Sequence, residues 1–180
     1  MMLLDTIQLR TSKNKIKQLT HTFKIMNITQ LKQHIRPSIE NEYYIDLSSQ
    51  LIQAPNGLVE YNQLIRTNVL DLPGIYMWEI PATEEVIYIG MAGKIKQTGQ
   101  LVNHSVRKRL MASRGKDPET KRDILTNSYI KNIFTHETID SLHIHVVHLI
   151  PNAVPAFIEA HLLNSYFQQN SLLPRYNHSF

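Results

Sequence analysis

The side chain with the strongest claim to chemistry in this chain is a carboxylate set among apolar residues. Pro155 suits the first turn of a helix running to about Asn170, with Ile158, Leu162, Leu163, Tyr166 and Phe167 as its apolar face. Glu159 projects near the middle of that face. A carboxylate there is costly unless a cation, a metal ion or several hydrogen-bond donors compensate it. Glu159 is therefore either functional or reaches past the core edge to an arginine. A second feature is a basic window. From Lys94 to Arg122 nine basic residues, Lys94, Lys96, Arg107, Lys108, Arg109, Arg114, Lys116, Lys121 and Arg122, stand against Asp117 and Glu119, so the window carries +7 in a chain of net charge +4. Such a cluster is a solvated face or a surface for phosphates. Two histidines complete the inventory. His143 and His145 alternate with Leu142, Ile144 and Val146 in the period of a half-buried strand, so they share one face as two zinc ligands would. No neighbouring carboxylate or third histidine completes a ligand set, and polar strand-face histidines are the better reading. The chain has no cysteine, so any metal must sit on oxygen or imidazole.

The elements that would position these groups centre on a hairpin. Ile75, Tyr76, Met77 and Trp78, then Val86, Ile87, Tyr88 and Ile89, are β-branched, aromatic or apolar, and the break between them holds Pro81, Glu84 and Glu85. Gly93 and Gly99 mark a loop, and Leu101 to Ser113 takes on helical spacing. At about 100° per residue Val102, Val106 and Leu110 fall on one stripe, Arg109 lies beside it, and Arg107 and Lys108 point away. Arg109 can thus reach a site built on a sheet. A further helix is expected over Glu119 to Phe134, with Leu125, Tyr129 and Ile133 along one side. A short helix is expected over Ile28 to Arg36, with Asn27 as its N-cap.

The triplets Gly74-Ile75-Tyr76 and Tyr88-Ile89-Gly90, with eleven residues between the tyrosines, resemble the signature of the GIY-YIG nucleases. Val106-Arg107-Lys108-Arg109-Leu110 resembles the family's arginine-bearing helix, Glu159-Ala160-His161-Leu162-Leu163 its glutamate-bearing helix, and Pro174-Arg175-Tyr176-Asn177 its closing P-x-Y-N. The loop before Arg109 and the interval from Glu159 to Asn177 are longer than in many members. The resemblance covers residues 74 to 177 and leaves the first 70 without a counterpart.

That resemblance implies an α+β fold, a small antiparallel sheet of about three strands flanked by helices, and a metal-dependent DNA endonuclease of restriction type. Repair and mobile-element nucleases share the same core. Glu159 would hold Mg²⁺ (or Mn²⁺), an ion that takes oxygen ligands and keeps several waters. Arg109 would neutralise the phosphate, Tyr76 or Tyr88 would accept the proton of the attacking water, and Asn177 would position its neighbours. His104 is an alternative base. Lys94, Lys96, Arg107, Lys108, Arg114, Lys116, Lys121 and Arg122 would contact the backbone of double-stranded DNA, and a homodimer follows if the target is palindromic. The competing reading, of a different class, is a nucleic-acid-binding module that kept the fold and lost cleavage.

The chain as a whole bounds these readings. Its 180 residues, 42% apolar and 19% charged, suit one soluble globular unit with no membrane span or secretory leader, hence a cytoplasmic location. Residues 1–70 carry no nameable motif, and Asp71-Leu72-Pro73 leads into the hairpin. The expected division is an accessory region over 1–70 that could contact DNA and a catalytic domain over 71–180.

Overall fold

The computed structural model describes residues 25–98, 101–102, 105–117 and 119–178. Helix α1 (Ile28–Ile35) starts where Asn27 and Gln30 satisfy each other's backbone N–H groups in a capping box, and it buries Ile28, Leu31 and Ile35. A 3-10 turn over Arg36–Ser38 leads into β1 (Ile39–Ser48), followed by α2 (Ser49–Gln53) and α3 (Gly57–Asn68). The hairpin is β2 (Gly74–Ile80) and β3 (Glu85–Ala92), joined by a turn in which Glu84 takes a left-handed conformation. Beyond it come the ribbon β4 (Lys94–Ile95) and β5 (Leu101–Val102), helix α4 (Val106–Met111), a second ribbon of β6 (Ser113–Lys116) and β7 (Asp123–Leu125), α5 (Thr126–Glu137), β8 (Ser141–Leu149) and α6 (Pro155–Asn170).

The main sheet is antiparallel throughout, in the order β1-β8-β2-β3. Strand β2 is buried along its whole length, as a strand covered on both faces must be. One face carries Tyr76, Trp78, Tyr88, Ile144 and Leu47 against Tyr61 and Ile65 of α3, Leu110 of α4 and Phe134 of α5. The other carries Ile75, Met77, Ile89 and Val147 against Leu31 of α1 and Leu162 of α6. Between Trp78 and Glu79 the β2–β3 register shifts, so that Ile87 and Tyr88 both join the first core while Val86 and Ile89 join the second.

Several expectations need correction. Among the described residues the sheet has four strands, not about three, and the added strand comes from the stretch assigned to an accessory region. In β1, Ile45 and Leu47 are buried while Glu42, Tyr44 and Asp46 point to the other face, a clear alternation diluted by the polar run Glu40-Asn41-Glu42. Among the described residues, those from 28 to 69 fill both cores, so the boundary near residue 70 does not separate two units. Helix α4 is shorter than Leu101 to Ser113, because the Ser105 hydroxyl caps it by accepting from the Lys108 N–H at 3.1 Å. The helix expected from Glu119 begins only at Thr126, after the second ribbon, and Leu125 is exposed ahead of it. Phe167, placed on the apolar face of α6, is 42% exposed. His104 and Gly99 lie outside the described residues. No helix among the described residues is long and apolar enough to cross a membrane.

Candidate active site at the sheet edge

The site is built around β3, whose outer edge faces no further strand of the sheet among the described residues. Tyr76 and Tyr88 rise from the same face of the hairpin, their ring centres 5.7 Å apart, because Tyr76 pairs across the ladder with Gly90 and no side chain comes between them. A Cβ on Gly90 would stand 2.6 Å from Tyr88 Cε1 and 2.8 Å from Tyr76 Cζ and Oη. The glycine of the second triplet is thus what lets the two rings pack. Gly74 serves the central pairing instead, since a Cβ there would lie 2.2 Å from the Val147 carbonyl oxygen.

The two tyrosines differ in what they can do. Tyr76 is 1% exposed, and burial pushes its phenol well above the ordinary tyrosine range; the neighbouring Tyr88 adds to the shift, while Arg114 and Arg109 oppose it. Tyr88 instead lines an open pocket of about 260 Å³ together with Arg114, Glu159, Leu163, Tyr176, Asn177 and His178.

Glu159 reaches this pocket from the first half of α6, on the other side of the β3 edge. Burial raises its carboxyl above the usual range, against the Met91 N–H and the charge of Arg109, which both favour the ionised form. Among the described residues no lysine, arginine or histidine forms a salt bridge with it. A half-buried carboxylate without a paired cation, open to a pocket, fits a hard divalent ion that binds through one protein oxygen and several waters.

Arg109 is exposed and lines an adjoining depression of about 240 Å³ with Met91, Ala92, Gly93 and Lys94. Arg107, two residues earlier, turns away: its Nε donates to the Val69 carbonyl beyond the C-terminus of α3. Asn177 pairs with the free edge of β3, its Oδ1 accepting from the Ile89 N–H at 2.9 Å and its Nδ2 donating to the Ile89 carbonyl at 2.8 Å. The Tyr176 N–H donates to the Ile87 carbonyl at 2.9 Å and its hydroxyl to Glu137 at 2.6 Å. Arg175 bridges Glu85 and Glu137. The closing segment therefore acts as an extra edge strand that walls the pocket.

The basic window divides into parts. Lys94, Lys96, Lys116, Lys121 and Arg122 are exposed on or beside the two ribbons, and Lys108 stands 3.8 Å from Asp71. Arg114, expected among these phosphate contacts, instead places its guanidinium over three rings, 4.3 Å from Tyr88, 4.8 Å from Trp78 and 4.8 Å from Tyr129. Each such contact contributes on the order of 0.5–2 kcal/mol. Only the placement of Trp78 two residues after Tyr76 hinted at an aromatic wall; Tyr129 arrives from α5.

Comparison with family models, with curated proteins and with solved structures finds no match.

Proposed function

We propose that the chain is a metal-dependent DNA endonuclease of the GIY-YIG kind. What supports this is convergence: Tyr88, Glu159 and Asn177, drawn from β3, α6 and the closing segment, meet around one pocket, with Arg109 in the adjoining depression. These residues come from the elements that carry the family resemblance, and no packing requirement would bring a half-buried carboxylate to this edge.

Each residue has a part in phosphodiester hydrolysis. Mg²⁺ at Glu159 would supply charge for a non-bridging phosphate oxygen and for the leaving oxygen. Arg109, exposed beside Met91, binds the phosphate and offsets the negative charge that builds on it. Tyr88 Oη takes the proton of the attacking water as the water oxygen bonds to phosphorus; the phosphorus–oxygen bond to the leaving sugar breaks, and that oxygen is protonated from solvent. The Arg114 guanidinium over the Tyr88 ring offsets the negative charge of the phenolate that accepts this proton, and the transfer leaves a neutral phenol. Tyr76, held protonated by burial, supports the Tyr88 ring from beneath. Asn177 holds the β3 backbone straight beside Tyr88. The exposed lysines and arginines of the ribbons bind the duplex backbone without reading sequence. Restriction-type cleavage remains part of this proposal.

Incubation of plasmid with the protein, with and without Mg²⁺, tests the reading. Mg²⁺-dependent nicking or linearisation is expected, with Glu159→Gln reducing the rate by at least about 1,000-fold while retaining duplex binding. Duplex binding by the wild type without cleavage in Mg²⁺ or Mn²⁺ would instead identify a non-catalytic binding module.

A further inference from the structure

On the sheet face opposite the tyrosines, Glu79, His143 and His145 bring three ligating atoms within 4.8 Å of one another. The strand register assembles them. Glu79 of β2 lies directly across from His143 of β8, and Asp46 of β1 lies across from the same histidine on its other side. His145, two residues on, points to the same face. Glu79 supplies the carboxylate that no local reading of the histidines could find, since it is 66 residues from His145 in sequence.

Three observations argue against a purely structural polar cluster. First, one carboxylate oxygen serves both imidazoles: Glu79 Oε2 is 2.7 Å from His145 Nε2 and 3.6 Å from His143 Nδ1. A buried carboxylate needs one good partner, and a second imidazole turned to the same oxygen is the arrangement a shared cation produces. Second, the remote nitrogen of His143 faces a carboxylate, Asp46 Oδ1 at 3.7 Å, which must approach by roughly 0.7 Å to make the hydrogen bond that orients metal-bound histidines. Third, His145 is 6% exposed and its Nδ1 is buried with no hydrogen-bond partner among the described residues, so the one polar contact of this imidazole is made at Nε2 with Glu79, and Nε2 is the nitrogen that a cation shared with Glu79 would take. Tetrahedral zinc with bonds of about 2.0–2.1 Å sets neighbouring ligand atoms about 3.3 Å apart. The Glu79–His143 separation is already near that value, the Glu79–His145 hydrogen bond must open by roughly 0.6 Å, and the two imidazole nitrogens, within 4.8 Å of each other, must turn toward the ion to reach it. The Tyr44 ring, 4.6 Å from His143 and 5.6 Å from His145, covers part of the cluster, while Asp46 and Tyr44 themselves are exposed, leaving an entry path.

We propose that Glu79, His143 and His145 bind one Zn²⁺ ion, with Asp46 orienting His143 and a fourth coordination position left to solvent. Two imidazoles select a borderline transition ion over Mg²⁺. The site does not rest on the nuclease reading: Glu79 lies four residues, about 13 Å, along β2 from Ile75, whose ladder partner Met91 donates its N–H to Glu159.

The test uses the untagged full chain, stripped with a chelator and dialysed against Zn²⁺, with metal content and thermal unfolding both measured. One zinc per chain is expected, with a melting temperature raised by Zn²⁺ and not by equal Mg²⁺. Glu79→Gln and His143→Ala should weaken binding by more than about 100-fold, and Asp46→Asn by about 10-fold. Glu159→Gln should bind zinc like the wild type. If Glu79→Gln fails to fold, His143→Ala decides, because that side chain is only partly buried. A wild type that takes up no zinc, a His143→Ala protein that binds as tightly as wild type, or a Glu159→Gln protein that loses the ion would each overturn the proposal.

Discussion

Two side chains of the same type, one step apart across a hairpin, are given different chemistry by their surroundings. Tyr76 is sealed under Tyr88 and Trp78 and stays a phenol at neutral pH, whereas Tyr88 opens on the pocket shared with Glu159. Tyr88→Phe keeps the ring that Arg114 covers and deletes only the hydroxyl. Single-turnover cleavage by this variant should fall about 100- to 10,000-fold with duplex affinity little changed, and Tyr76→Phe should lose much less. Cleavage by Tyr88→Phe at the wild-type rate would make both tyrosines packing residues. Glu159 offers a prediction about stability. Its folded carboxyl is raised by burial above the unfolded value, so folding binds a proton there; the fold is favoured below the unfolded value of about 4.3 and loses that contribution as pH rises through the folded value. Glu159→Gln should therefore melt higher than wild type at pH 7, with the difference closing as pH falls toward 4 and as Mg²⁺ is added to the wild type. Melting curves across pH, with and without Mg²⁺, check both arms; a variant less stable than wild type at pH 7 would mean that protein donors already compensate the carboxylate.

Helix α4 shows how one short element can present two functions on two sides. Arg107 ties it to the Val69 carbonyl, and Arg109 lines the depression beside Met91. Arg107→Ala should cost about 1.5–3 kcal/mol of stability, the range for a hydrogen bond from a charged group, while turnover per folded molecule is kept. Arg109→Ala should do the reverse, with a large loss of turnover and little change in melting. Equal turnover losses in the two variants would show that the two sides of the helix do not divide the work in this way. The hairpin makes a comparable demand. In Gly90→Ala the new methyl meets two buried rings rather than the ends of flexible chains, so about 1–3 kcal/mol of overpacking is expected, measurable as a lower denaturant midpoint, together with a displaced Tyr88 and slower cleavage.

Across the whole molecule, the sheet joins parts of the chain that sequence would divide at residue 70. Strand β1 pairs with β8 along nearly its full length, and Tyr61, Ile65 and Leu31 from the first part are fully buried against the second. A fragment of residues 71–180 should consequently fail to fold cooperatively, with no sigmoidal melting transition by circular dichroism. A cooperative fragment with cleavage activity would restore the idea of a separable catalytic domain. What the sequence by itself determined is local. The hairpin was legible in two apolar runs around a charged break, β8 in its alternation, α1 in its Asn27 cap, α6 in Pro155 and its apolar stripe, and Glu159 as a carboxylate in need of compensation. Periodicity and capping are set by neighbours within a turn or a pleat, so they can be read from short windows. The tertiary structure alone decided which distant groups meet. It inserted β8 between β1 and β2, caged Arg114 among Trp78, Tyr88 and Tyr129, and set Glu79 against His143 and His145. Those meetings follow from burying both faces of one sheet at once, a condition on the whole chain that no short window contains.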